Sequence, residues 1–159
     1  MDEIETSFYG SVYSEGCPGC NRNEPQPEGL GIVLETVNFR VHQDYALPIP
    51  GMMVVETRRH IRSMTEFTAD ELSDLVSVLV RTREAMRDAG IEEAILVQEE
   101  RSSHFHAWWL PIYPWIRDVA GGKIRNIQLI FDHAKKYMVT EGNIKKVEET
   151  IRRIKASLV

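Results

Sequence analysis

The sequence predicts an α+β fold in which an antiparallel sheet packs against one long helix and a pair of helices follows at the C-terminal end. Three observations lead to this class: short strand-like runs with hairpin-length links, one periodic apolar stretch near the middle, and two amphipathic stretches after residue 114. A chain of 159 residues suits one domain, since domains commonly take roughly 100 to 200 residues. We therefore expect a single domain over residues 1–159, with a core at about 17–114 and a helical extension at about 115–159.

The strands are predicted from short runs of β-branched and apolar residues, at 32–34, 39–41, 52–55, 94–97 and 104–110. The breaker Pro48-Ile49-Pro50-Gly51 lies before the third run, and Pro111 closes the last. Hairpin-length links between the first three runs favour antiparallel pairing. The first thirty residues hold several Pro and Gly residues and are expected to form a loop.

The longest predicted helix runs from about Ala69 to Ala89. Thr68 and Glu71 have the spacing of a capping box at its start, and Gly90 can end it in a left-handed conformation. Its apolar residues recur at helical spacing, so we expect one stripe that packs on the sheet. They are Leu72, Leu75, Val76, Leu79, Val80 and Met86.

The extension is predicted to contain two amphipathic helices. The first carries apolar residues at helical spacing from Ile127 to Met138, and the second from Ile144 to Leu158. The break between them is expected at Gly142-Asn143.

Charge and hydropathy exclude several classes of protein. The chain has 19 basic and 24 acidic residues, a net charge of −5, which argues against a nucleic-acid partner held by phosphate neutralisation. No apolar run approaches the roughly 18 residues that would span a membrane, and the acidic start lacks the basic region of a signal peptide. We therefore expect a cytoplasmic protein with no membrane partner.

Cys17 and Cys20 form a C-x2-C motif and are the only cysteines of the chain. In a reducing compartment this spacing indicates metal or redox chemistry more than a structural disulfide. A zinc half-site, a thioredoxin-like redox pair and an incidental pair all stay open at this point. A zinc site would need two further ligands, and the histidines are the candidates.

His104 and His106 are separated by one residue in a predicted strand, which places both imidazoles on the same face. Two histidines on a solvent-exposed face of the sheet, with no function, are an equally good explanation of this spacing. Their neighbours favour a pocket for an anion, because a polar turn precedes them and aromatic residues follow. The turn contains Arg101, Ser102 and Ser103, and the aromatic pair is Trp108-Trp109.

The order of these features resembles the histidine triad superfamily, whose last core strand reads H-φ-H-φ-H-φ-φ followed by Pro. This chain has His104-Phe105-His106-Ala107-Trp108-Trp109-Leu110-Pro111 at that place. Upstream, the family has a glycine, an apolar strand and a basic-basic-His-aliphatic run. This chain has a similar segment there, which reads Gly51-Met52-Met53-Val54-Val55-Glu56-Thr57-Arg58-Arg59-His60-Ile61. The resemblance covers about residues 17–114, and its four separated features occur in the family's order.

The resemblance also implies a metal site. Branches related to galactose-1-phosphate uridylyltransferase carry zinc on an N-terminal C-x2-C, on the histidine after the basic pair and on the first histidine of the motif. The matching residues here are Cys17, Cys20, His60 and His104. A Cys2His2 set is also what a closed structural zinc site takes on chemical grounds.

The second histidine of the family motif is the nucleophile, and its place is taken by His106. An imidazole suits this task because one neutral nitrogen can attack phosphorus while a hydrogen bond fixes the other. Ser102 and Ser103 are the candidate donors to the phosphoryl oxygens, and Arg101 could add positive charge. The third histidine is replaced by Trp108, which can donate a hydrogen bond but cannot shuttle a proton.

Asp44 takes the place of the family's ribose-binding acid when residues are counted back from His60. A carboxylate can accept from both ribose hydroxyls, although a turn-forming Asp explains this residue equally well. His42 and Tyr45 would then flank the place where the base packs.

Taken with the composition, the resemblance implies a cytoplasmic zinc protein of the diadenosine polyphosphate hydrolase or uridylyltransferase type. Such an enzyme would hydrolyse or transfer a nucleotidyl group from a nucleoside phosphate or dinucleoside polyphosphate. Two alternatives stay open: a nucleotide-binding or regulatory module without turnover, and a structural zinc protein whose sheet is only a partner surface. Members of the family usually dimerise through the long helix and the sheet edge, which implies a homodimer.

Overall fold

The computed structural model describes residues 4–121, 123 and 125–159; the acidic start at 1–3 lies outside them. The fold has the predicted α+β class. The strands are β1 (Ile4–Thr6), β2 (Val12–Glu15), β3 (Leu34–Glu35), β4 (Phe39–Gln43), β5 (Met53–Thr57), β6 (Ala94–Gln98) and β7 (His106–Pro111). The helices in the described ranges are α1 (Ala69–Asp88), α2 (Pro114–Val119), α3 (Ile127–Tyr137) and α4 (Glu141–Ser157), and a short 3₁₀ turn covers Met64–Glu66.

Five strands form one antiparallel sheet in the order β3-β4-β5-β7-β6. The central strand β5 pairs with β4 on one side and with β7 on the other, although α1 and β6 lie between β5 and β7 in the chain. The register places Glu56 of β5 directly opposite His106 of β7. The basic-basic-His segment after β5 therefore lies beside the histidine motif that leads into β7.

Helix α1 begins with the predicted capping box, in which Thr68 accepts from the backbone of Glu71 and the Glu71 carboxylate accepts from the backbone of Thr68. The predicted single stripe is only partly correct. Leu75 and Met86 are buried, whereas other members of the stripe are largely exposed. The exposed residues are Leu72, Val76 and Val80; their spacing of four residues gives α1 a second apolar face.

The C-terminal helices contribute fully buried side chains to two clusters. Val147, Ile151 and Ile154 of α4 pack in the same core as α1 and the sheet. Ile130 and Ala134 of α3 are buried in a second cluster, together with residues of β7 and α2. Both apolar faces predicted for the extension therefore pack against the rest of the chain.

The turn between β4 and β5 makes a close contact with α4. Gly51 has a positive φ of 75°, and a Cβ there would lie 2.3 Å from Ile91 Cδ1 and 3.1 Å from Thr150 Cγ2. Asn143 of α4 donates to the Pro48 carbonyl at 2.7 Å. Glycine is required at position 51 because both the backbone conformation and the lack of space exclude a side chain.

Three local predictions are wrong. The expected N-terminal loop contains the hairpin β1–β2. Helix α2 begins at Pro114, shortly after the last strand, where the sequence pattern predicts no helix. The break between the last two helices lies before Gly142, because Thr140 caps α4 by accepting from the Asn143 backbone.

The described helices contain no segment long and apolar enough to cross a membrane.

Candidate functional site

Four potential metal ligands converge where the N-terminal loop meets the sheet. One ligand atom from each of Cys17, Cys20, His60 and His104 lies within 4.8 Å of all the others. His60 Nδ1 is 3.1 Å from Cys20 Sγ, and His104 Nδ1 is 3.4 Å from Cys17 Sγ. The cluster can therefore hold a metal ion, and its two thiols and two imidazoles are a donor set that suits zinc.

The ring of His104 is held in one orientation from two sides. Its Nε2 lies 2.7 Å from the Thr57 carbonyl, so Nε2 carries the proton and Nδ1 presents a lone pair to the sulfurs. Gly19 packs against the opposite side, where an added Cβ would lie 2.5 Å from the imidazole. Metal-binding histidines are commonly oriented by such a carbonyl on the second nitrogen.

The segment that carries His60 is anchored to the start of α1. The Arg59 guanidinium donates to both carboxylate oxygens of Glu71, each at 2.8 Å, and to the Glu66 carbonyl. The Arg59 hydrogen bond and the backbone of Thr68 lower the pKa of Glu71 to about 2. A charged pair therefore holds the ligand loop against the helix.

A cavity of about 410 Å³ lies beside the metal cluster. Its floor includes His106 and Glu56 from the central strands, and the loop after β4 adds Asp44. Another wall is formed by Glu99, Arg101, Ser102 and His104, and α3 of the C-terminal extension also lines the cavity. A space of this size fits a small ligand such as a nucleotide.

His106 is half-buried in this cavity with a defined tautomer. Its Nδ1 lies 3.0 Å from the His104 carbonyl, which can only accept, so the proton is on Nδ1. Nε2 then bears the lone pair that a nucleophile needs. The ring meets Trp108 edge to face, with centroids 4.5 Å apart.

Asp44 is buried, and two donors hold its carboxylate. Oδ1 accepts from the Ala46 backbone at 2.9 Å, and Oδ2 accepts from Trp108 Nε1 at 3.1 Å. Burial raises the pKa of Asp44, and these hydrogen bonds oppose that effect. Both explanations offered by the sequence apply in part, because Asp44 holds the turn at Ala46 and also faces the cavity.

The residues of the polar turn before the histidines differ in their positions relative to the cavity. Ser102 lines the cavity, donates to the His104 carbonyl at 3.1 Å and accepts from the His104 backbone. Arg101 also lines it, but its exposed guanidinium pairs with Glu99 at 2.5 Å. Ser103 is exposed and is not among the residues that line the cavity.

No family model matches the chain, and no curated protein matches it either. Similar folds occur among solved structures. A HIT-like protein from Bartonella henselae is 15% identical with a TM-score of 0.54, covering 80% of this chain and 86% of its own. A zinc-bound histidine triad family protein from Mycobacterium smegmatis is 16% identical with a TM-score of 0.55, covering 80% and 82%.

A uridylyltransferase is 20% identical with a TM-score of 0.56, covering 82% of this chain and 42% of its own. All three superpose over the greater part of the chain described here. The chain has the histidine triad fold. At these sequence identities the similarity establishes the fold and does not establish an activity. The activity has to be inferred from the geometry of the site.

Two residues expected beside the base do not reach the surface of the cavity in this histidine triad fold. His42 and Tyr45 are buried and are absent from the cavity wall. His42 Nδ1 bonds the Gln43 carbonyl at 2.7 Å, and the Tyr45 hydroxyl donates to the Leu30 carbonyl at 2.6 Å. Tyr45 packs in the main core, whereas His42 lies on the same sheet face as His106, behind Glu56, with its Nε2 3.6 Å from the Glu56 carboxylate.

Two parts of the cavity wall have no role in the sequence-based prediction. Glu56 is buried in β5, where Arg22 pairs with it and Arg40 lies 3.6 Å away. A charged residue directly after the apolar run 52–55 was a signal that could have identified it. Phe131 and Lys135 of α3 also line the cavity, but nothing local in the sequence indicates that the extension would reach the site.

Proposed function

We propose that this protein is a nucleotidyl hydrolase or nucleotidyltransferase that acts on a nucleoside phosphate or dinucleoside polyphosphate through His106. The observation that carries the proposal is the imidazole in the cavity, whose Nδ1–H is bonded to a carbonyl and whose Nε2 bears the lone pair. The cavity also argues against a sheet that serves only as a partner surface. The similar uridylyltransferase fold is consistent with this activity.

The substrate would bind with its α-phosphate at His106 and its ribose at Asp44. Ser102 and nearby backbone N–H groups would donate to the phosphoryl oxygens. Asp44 would accept from the ribose hydroxyls through the lone pairs that Ala46 and Trp108 leave available. The net charge of −5 does not oppose binding, because a few local donors outweigh a screened global field.

The reaction would proceed in two displacements at phosphorus. His106 Nε2 attacks the α-phosphorus, and the nucleotidyl group becomes bound to the imidazole while the leaving group departs. The His104 carbonyl holds the Nδ1 proton and stabilises the positive charge that develops on the ring. Water or an acceptor hydroxyl then forms a bond to the same phosphorus, the N–P bond returns its electron pair to Nε2, and the proton lost by the attacking oxygen passes to solvent.

Incubation with a dinucleoside polyphosphate tests this proposal directly. A nucleoside monophosphate should appear with the unmodified protein, and His106→Asn should abolish its formation. His133→Asn is a matched control, because His133 is half-buried beside Trp115 and outside the cavity. A trapped adduct should be acid-labile, base-stable and located on residues 104–114; turnover unchanged in His106→Asn would exclude the mechanism.

We further propose that Cys17, Cys20, His60 and His104 hold one structural zinc ion. Zinc would tie the N-terminal loop to the sheet and add folding free energy. Elemental analysis should give about one zinc per chain, and a chelator should lower the melting temperature. A metal content that stays the same in His60→Ala would remove His60 from the site.

A nucleotide-binding module without turnover is the second candidate, and Trp108 favours it. The third position of the family motif usually holds a histidine, and an indole cannot transfer a proton. This candidate predicts nucleotide-dependent thermal stabilisation with no product and no adduct. Product formation that depends on His106 decides against it.

We also propose a homodimer through α1 and the edge strand β6. The second apolar face of α1 has exposed side chains, with Val76 62% exposed, and Leu96 of β6 is 45% exposed. Strand β6 lies at the open edge of the sheet, so a second copy could continue both the sheet and the apolar face. Val76→Glu should yield a monomer in sedimentation, whereas Leu129→Glu on exposed α3 surface should not.

A further inference from the structure

The cavity that holds His106 and Asp44 adjoins a second cavity of about 350 Å³. Both are lined by Glu5, Ala46 and Lys135, so these three residues lie on the boundary between the two spaces. The second cavity is formed mainly by β1 of the N-terminal hairpin and by the C-terminal end of α3. Its wall therefore comes largely from two parts of the chain that lie outside the histidine motif.

The groups of the first cavity form a row that leads to this boundary. The His106 ring meets Trp108, and the Trp108 indole donates to Asp44 Oδ2 at 3.1 Å. Asp44 Oδ1 accepts from the backbone of Ala46 at 2.9 Å, and Ala46 reaches the second cavity. Burial raises the pKa of Asp44, and the positive charge of Lys135 opposes that rise, which agrees with an ammonium group on the same side.

A nucleoside monophosphate has its parts in the same kind of row, with the ribose between the phosphate and the base. When the α-phosphate is at His106 and the ribose is at Asp44, the base extends towards Ala46. We propose that the base binds in the second cavity, between the N-terminal hairpin and α3, where Lys135 donates a hydrogen bond to it. This inference rests on the proposed function and adds the place at which the base is recognised.

The apolar part of the second cavity suits the faces of a nucleobase. Ile4 and Val139 both line it, and they are 67% and 48% exposed. A base in this cavity would cover the two side chains, and the removal of apolar surface from water favours binding. Phe8 also lines the cavity and is buried, so the apolar wall is anchored in the main core.

The charged residues at the boundary suit the edge of a base. The Lys135 ammonium has three N–H donors and no acceptor, so it can donate to a carbonyl oxygen or a ring nitrogen. The Glu5 carboxylate accepts from amino or ring N–H groups on the same edge. Because Glu5 and Asp44 are both acidic, the boundary disfavours a phosphate and favours the uncharged base.

Ribose 5-phosphate tests the inference, because it has the sugar and the phosphate of a nucleotide but no base. Calorimetric titration compares it with AMP, GMP, CMP and UMP. Lys135→Met should weaken the tightest of these nucleotides by about tenfold, the cost of a hydrogen bond to a charged group, and weaken ribose 5-phosphate little. Lys136→Met is the matched control, since Lys136 is exposed and lies over the Tyr137 ring; it should leave both affinities unchanged.

A second variant tests the place of the base without a change of charge. Ala46→Leu adds volume at the boundary and should also weaken the nucleotide by about tenfold, a usual cost of overpacking, with ribose 5-phosphate little affected. Ala156→Leu on the exposed side of α4 is its control.

Two results would overturn the inference while turnover that depends on His106 still stands. One is an equal loss for the nucleotide and ribose 5-phosphate in either variant, and the other is a nucleotide affinity that neither variant changes. Failure of the unmodified protein to bind ribose 5-phosphate or any of the four nucleotides would overturn the proposed function together with the inference.

Discussion

Gly19 lies where the imidazole of His104 leaves no room for a side chain. Because an added Cβ would lie 2.5 Å from that ring, Gly19→Ala must displace either the cysteine turn or His104. We predict that this substitution weakens zinc binding at least about tenfold, the low end for lost support of a ligand. Competition with a chromogenic chelator measures the change.

Gly142→Ala is the control for this prediction. Gly142 lies in the first turn of α4, and a Cβ there would meet nothing within 4 Å. The control should keep its zinc affinity and gain stability by about 0.5 to 1 kcal/mol, since alanine favours a helix over glycine. Equal zinc affinity in Gly19→Ala and the unmodified protein would contradict the packing described for His104.

Asp44 gives a second prediction at the scale of single residues. Its carboxylate faces the cavity beside Trp108, where ribose hydroxyls can donate to it. Asp44→Ala should weaken nucleoside monophosphate binding by about tenfold or more, the cost of hydrogen bonds to a charged group, and weaken inorganic phosphate little. Calorimetric titration compares the two ligands, and equal losses would remove Asp44 from the ribose role.

The sequence predicted which residues lie near the site better than it predicted the orientation of their side chains. The ligand positions followed from a motif whose four parts keep their order, and the structure brings Cys17, Cys20, His60 and His104 together. The direction of Tyr45 could not be obtained by counting, because the strand ends at Gln43 and the period of two is lost there. His42 lies within the strand on the face of His106, but the sequence does not show that Glu56 lies between it and the cavity. Long-range contacts such as Phe131 with Trp108 have no local signal at all.

Among the elements, α1 depends on a charged group at its start. The pKa of Glu71 lies at about 2, below its ordinary value of 4.5, chiefly because Arg59 donates to it. A lowered pKa in the folded state stabilises the protein above the ordinary pKa, and this stability is lost as pH falls from about 4.5 towards 2. Glu71→Gln keeps a capping residue but removes the charge.

We therefore predict that Glu71→Gln lowers the free energy of unfolding by about 1 kcal/mol at pH 7, a modest value because Arg59 is half exposed to solvent. The difference should shrink as pH falls below 4.5. Urea unfolding across this range measures it, with Glu84→Gln on the exposed side of α1 as the control. A difference that is independent of pH would assign the effect to packing.

Helix α1 also shows what periodicity could and could not predict. Its bounds and its capping box followed from the sequence, because both depend on local chemistry. The division of its apolar residues did not, since Leu75 and Val76 are equally apolar while one is buried and the other exposed. The hairpin β1–β2 was missed for a related reason: its strands are short, and Ile4 and Val12 are exposed.

For the whole molecule, we propose that the extension folds as part of one domain with the core. Ile151 and Ile154 are fully buried among residues of α1 and the sheet. Truncation after Pro114 should therefore expose apolar surface and yield aggregated or unfolded protein. A soluble, monodisperse and equally stable truncated chain would mean that the extension is an independent appendage.

A milder change tests the same contact in the full chain. Ile154→Ala should lower the free energy of unfolding by about 2 to 5 kcal/mol, because it removes buried methyl groups and leaves a cavity. Leu129→Ala on α3 changes an exposed side chain and should have little effect. Urea unfolding of the two variants gives the comparison.

The metal cluster also has a consequence for the order in which the chain folds. Cys17 is 43 residues from His60, which is 44 residues from His104. Closing each loop costs an unfolded chain about 3 kcal/mol plus a constant, so few unfolded chains hold all four ligands together. We propose that pairing of β5 with β7 meets part of this cost first, so that an ion would bind to His60 and His104 when these two ligands are already close together. We expect metal loss to accelerate unfolding more than it slows folding.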